Sequence, residues 1–141
     1  MTLTIGTGPF GDQGEKTFNF EVRAPRDHVL YLEESPKRVR VMFGGEVVAD
    51  SRRAKLLHEA GLLPVYYFPM EDVRTDLLEE SDHTTHCPFK GDASYWSVKA
   101  GDRVAENAVW GYPEPIDSCP PISGHVAFYW NKMDMSREDY S

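Results

Sequence analysis

The sequence predicts a mainly-β domain of two packed antiparallel sheets, with one short helix and a few helical turns. Three observations predict it. Short runs of alternating or aromatic apolar residues recur along the chain, as in Val39, Val41 and Phe43 set between Arg40 and Met42. Turn signals separate the runs, above all Gly44-Gly45 and Gly101-Asp102. A connection rich in proline, with Pro113, Pro115, Pro120 and Pro121, interrupts the pattern over residues 112–124.

In chain order, residues 1–35 read as an N-terminal arm. Its first part is rich in Gly, Thr and charge and loosely held, while residues 18–32 carry aromatic and aliphatic side chains that pack on the domain. The domain proper spans 36–131, and 132–141 form a charged tail, either a short helix or disordered. Strands are expected at 39–43, 46–49, 65–68, 93–98, 104–110 and 125–130. Residues 51–60 combine a cap at Asp50 or Ser51, good helix formers and Gly61 as a stop, which predicts the one helix. Residues 70–74 predict a single helical turn, 75–79 an extended piece, and 81–92, polar with Pro88 and Gly91, a loop.

The 141 residues suffice for one domain with a real core. A net charge of −8 without a basic stripe argues against a partner of duplex nucleic acid. No apolar run is long enough for a membrane span, and the N-terminus lacks the basic start and apolar core of a secretory signal. The two cysteines, Cys87 and Cys119, make no disulfide framework, so the expected compartment is cytoplasmic with both thiols reduced.

Several groups have chemistry to offer. Cys87 lies between His86 and Lys90, either of which favours a thiolate, and it is the best candidate for a nucleophile. The bland alternative is a small buried hydrophobe. His83, His86 and Cys87 have ligand character, but no fourth ligand stands at motif spacing, and no metal or cofactor is expected. Asp72 and Arg74 flank a turn after an aromatic strand. An Arg there either grips a ligand carboxylate or phosphate or ties strands together. Tyr67, Trp110 and Tyr112 are core aromatics by default, but Trp110 and Tyr112 sit where a strand meets the Pro-rich loop, a usual pocket rim. The acidic run Asp76, Glu79, Glu80 and Asp82 reads as a solvated face.

Ordered blocks over residues 38–129 resemble the family called domain of unknown function 427. They are Glu46 to Ser51, Tyr66 to Pro69 with Asp72-Val73-Arg74, Thr85 to Gly91 with Ala93 and Tyr95, Trp110 to Pro113, and Gly124 to Tyr129. The resemblance implies a β-tent-like fold, in which the two sheets lean together at a wide angle and stay open at one end. In related domains, such as the thalidomide-binding domain of cereblon, paired cysteines hold zinc and an aromatic cage holds a small ligand. This chain has no CxxC, so the zinc is not carried over. The family also carries a nucleotidyltransferase-like label, yet no Gly-Ser motif with paired carboxylates supports it here.

The expected function is binding of a small anionic or ring-containing molecule in a pocket between the sheets. Tyr67, Asp72, Arg74, Lys90, Trp110 and Tyr112 would line that pocket. The alternatives are a small enzyme using Cys87 and a protein-interaction domain. A homodimer is compatible with either.

Overall fold

The structure is a computed structural model that describes residues 30–117 and 119–139. Expectations for the arm before residue 30 lie outside the described residues. Ten strands are described: β1 (Leu30–Glu34), β2 (Arg38–Phe43), β3 (Glu46–Ser51), β4 (Lys55–Glu59), β5 (Val65–Pro69), β6 (Leu78–Cys87), β7 (Gly91–Ala100), β8 (Arg103–Gly111), β9 (His125–Phe128) and β10 (Met135–Asp139). They form two antiparallel sheets. The large sheet has the order β1-β4-β5-β9-β8-β7-β6 and the small one β10-β2-β3. The mainly-β, two-sheet expectation therefore holds. Among the described residues, no helix is long and apolar enough to cross a membrane.

Gly44 and Gly45 join β2 to β3 with φ of 59° and 82°, the pair of left-handed residues that a tight hairpin turn requires. Met70–Asp72 forms the expected helical turn. Thr75–Leu77, expected extended, is a second 3-10 turn before β6.

Three further expectations are overturned. The helix at 51–60 is absent: β3 runs to Ser51, and after a short turn β4 runs from Lys55 to Glu59. The Ser51 hydroxyl accepts from the Arg53 N–H at 3.0 Å, a two-residue turn that competes with helix capping. Pairing with β1 on one side and β5 on the other then outweighs local helix propensity. The supposed loop after Ser81 is mostly strand, because β6 pairs with β7 down to Cys87 opposite Gly91. The charged tail is not helical: after a 3-10 turn at Trp130–Lys132, Met135–Asp139 pairs with β2. The Arg40–Asp139 bridge of 2.7 Å fixes its far end.

Strand alternation gives the large sheet two distinct faces. The inner face carries Tyr66, Phe68, Val98, Val109, Val126 and Phe128, which pack in one core with Val39, Val41, Phe43 and Val48 of the small sheet. Phe68 and Phe128 meet edge to face at 5.5 Å. The outer face carries Leu57, Tyr67, Ala93, Tyr95 and Ala127, and Cys119 and Ile122 of the Pro-rich connection pack on it. No residue of the small sheet belongs to that second core. The two cores are thus separated by the thickness of one sheet.

Candidate functional site

The outer face gathers most of the chemically capable side chains. Tyr95 of β7 lies directly opposite Trp110 of β8, so both rings share that face. Trp110 meets Tyr67 edge-on at 6.5 Å and Tyr129 at 4.5 Å. At the sheet edge, His83 lies 4.6 Å from the Tyr95 ring, and Thr85 Oγ1 is 3.0 Å from the Tyr95 hydroxyl. Tyr129 is 37% exposed and Trp110 half-buried, so this end of the cluster reaches solvent.

The other end is an ion pair. The Lys90 ammonium binds the Glu59 carboxylate, and both residues are buried. Glu59 ends β4, while Lys90 sits in the turn that joins β6 to β7. Lys90 Nζ also lies 5.8 Å from the Tyr112 ring centroid. Backbone bonds hold the lysine in place: its N–H donates to the Cys87 carbonyl at 3.2 Å, and its carbonyl accepts from the Ile116 N–H at 2.9 Å. Burial pushes the Tyr67 and Tyr112 phenols above their ordinary range, so both are neutral donors and acceptors at physiological pH. Burial, reinforced by Tyr95, raises Tyr129 to about 12. Cys119 is raised to about 11, again mainly by burial.

Of the residues expected to line a pocket, Tyr67, Lys90, Trp110 and Tyr112 share this face, and Cys87 packs beside them. They do not lie between the sheets, because alternation turns them away from the small sheet. Asp72 and Arg74 lie apart from them. The Arg74 N–H donates to Val48 O of the small sheet at 2.7 Å, and its exposed guanidinium binds Asp76 at 2.7 Å and Glu46 at 3.4 Å. Asp72 accepts from Ser51 Oγ at 2.6 Å and Arg53 at 2.9 Å.

A groove of about 570 Å³ opens near Asp72, with Arg52, Arg53, Lys55, His125, Glu34 and Glu71 in its wall. A shallower one of about 420 Å³ adds Arg38, Asp50 and Asp72. The Arg38–Asp50 bridge of 2.7 Å and the Arg53 contacts to Asp72 and Glu71 offset much of the positive charge.

Sequence reasoning missed Glu59, Tyr95 and Cys119 as members of the outer-face group. Reading 51–60 as a helix hid Glu59, whose place two residues after Leu57 puts it on the same strand face. The H-x-x-H-C cluster is divided by the same alternation. His83 meets the Tyr95 ring edge-on, whereas the exposed His86 binds Asp92 at 2.7 Å. Among the described residues, no three His, Cys, Asp or Glu side chains converge on one point.

The blocks of sequence that build this face are also those that a family model recognises. The model described as domain of unknown function (DUF427) matches residues 31–139. The chain belongs to the DUF427 family. The match begins in β1 and ends with β10, so both sheets are part of the DUF427 domain. A comparison with curated proteins finds none that matches.

Proposed function

We propose that this DUF427 domain binds a small ring-containing molecule on the outer face of its large sheet. Trp110, Tyr129 and Tyr95 would contact the ring, and the Lys90–Glu59 pair would form the polar end. The observation that carries the reading is the buried ion pair inside an aromatic cluster. Two charges taken out of water gain little net stability over apolar residues of the same size, so their presence is better explained by use than by packing. An ammonium carries three N–H donors, so Lys90 can bind Glu59 and still offer a donor to a ligand. The pair is neutral as a unit, which favours a neutral ligand offering an acceptor over a bare anion.

The test is a thermal-shift screen of nicotinamide, benzoate, adenine and AMP. The expected result is stabilisation by at least one ring compound, abolished in Trp110→Ala and weakened in Lys90→Met. Stabilisation that survives Trp110→Ala overturns the reading. A second reading, a small enzyme with Cys87 as nucleophile, is favoured by the place of that half-buried thiol in the same cluster.

A further inference from the structure

Cys87 and Cys119 lie 32 positions apart in sequence, yet one short ladder of backbone bonds joins them. The Lys90 N–H donates to Cys87 O at 3.2 Å, the Ile116 N–H donates to Lys90 O at 2.9 Å, and the Cys119 N–H donates to Ile116 O at 2.9 Å. Gly91 explains how the two segments approach so closely. It lies directly opposite Cys87 across the hairpin with φ of 121°. A Cβ there would stand 3.2 Å from Glu114 O and 3.6 Å from the Ile116 nitrogen. Both thiols belong to the outer-face core, Cys87 half-buried at its margin and Cys119 buried within it.

We propose that Cys87 and Cys119 form a reversible dithiol–disulfide pair that fastens the Pro-rich connection to the β6–β7 hairpin when the protein meets a peroxide. Cys87 reacts first, because it is the more exposed thiol and burial keeps Cys119 protonated at neutral pH, with its pKa near 11. The Cys87 thiolate attacks one peroxide oxygen. An S–O bond forms, the O–O bond breaks, and the departing hydroxide takes a proton to become water. Cys119, giving up its proton, then attacks Cys87 Sγ. The S–S bond forms, the S–O bond breaks, and a second water leaves. Two thiols are oxidised by two electrons and the peroxide is reduced to water. The Lys90 ammonium sits beside both segments and offsets part of the effect of burial on Cys119.

This inference does not depend on a ligand for the outer face. Its test is titration of the full chain with hydrogen peroxide, read by intact mass and by non-reducing peptide mapping. The expected product has lost two hydrogens, joins the Cys87 and Cys119 peptides within one chain, and reverts with dithiothreitol. Cys119→Ser should instead trap a sulfenic acid at Cys87 that reacts with dimedone, and should proceed to sulfinic acid under more peroxide. The parent chain map decides the matter even if that variant folds poorly. Chains cross-linked to one another, or a parent that accumulates sulfinic acid at Cys87 as readily as Cys119→Ser, overturns the proposal.

Discussion

Glu59 and Lys90 are joined by a buried ion pair across 31 positions of sequence, linking the end of β4 to the turn between β6 and β7. These strands are not neighbours in the sheet, since β5, β9 and β8 lie between β4 and β7. The pair therefore spans the outer face and does not reinforce a ladder. Removing one partner leaves the other charge buried without the ion that faced it. Lys90→Met or Glu59→Leu alone should lower unfolding free energy by about 3–5 kcal/mol, and the two together should recover most of the loss. Urea denaturation of the four proteins tests this, and losses that simply add would show that the pair is not coupled.

Arg74 behaves in the opposite way. Its bonds to Asp76 and Glu46 are exposed, and nothing places it against the aromatic cluster. Arg74→Ala should leave both the thermal midpoint and the response to ring compounds unchanged. A lost response would return Arg74 to the site that the sequence suggested for it.

Asp50 and Asp72 make stability depend on acid. The Arg38 hydrogen bond holds the Asp50 carboxyl below 3.8. Burial works to raise Asp72, but Arg53 and Ser51 overcome it, so that carboxyl is also held below 3.8. A lowered folded pKa means that the contribution is complete above the unfolded value and fades as pH falls through the folded one. Stability should therefore decline below about pH 4. Asp50→Asn and Asp72→Asn should be less stable than the parent at neutral pH, with the gap closing as the solution is acidified. Urea midpoints from neutral pH downward give the comparison, and a gap that is constant with pH counts against the assignment.

The β2–β3 turn offers a paired test of backbone geometry. A Cβ on Gly44 would stand 2.5 Å from Ala100 O, whereas one on Gly45 would meet nothing within 4 Å. Gly45→Ala should cost about 1–2 kcal/mol, the strain of a left-handed residue. Gly44→Ala should cost distinctly more, because the clash is with backbone of β7. Equal costs in thermal unfolding would remove the steric argument.

Much of the inner architecture was legible because its strands announce themselves. Val39, Val41 and Phe43 alternate, Gly44-Gly45 marks the hairpin, and Tyr66 to Phe68 is too aromatic for a loop. The missed strands fail that test for physical reasons. β6 and β10 are edge strands with water along one side, so charged and polar residues are tolerated, as in Glu79, Glu80 and Arg137. β4 is composed of good helix formers and is strand only because β1 and β5 flank it. The candidate site was half legible. Tyr67, Lys90, Trp110 and Tyr112 could be picked out by residue type, but which side of the sheet they occupy depends on the pairing register. Arg74 was grouped with them on charge alone, and register sends it to the small sheet.

Tyr66 and Tyr67 are adjacent in sequence but belong to different cores, one facing the small sheet and the other the Pro-rich connection. Mutations along β5 should therefore be felt with a period of two. Changes at Tyr66 and Phe68 should lower the amount of folded protein in a cell, whereas conservative changes at Tyr67 should spare abundance and alter what the outer face does. The connection over 112–124 belongs to that second category. Its Tyr112, Cys119 and Ile122 pack in the outer core and not with Phe68 and Phe128, so changes there should alter the outer face before they disturb the contact between the two sheets.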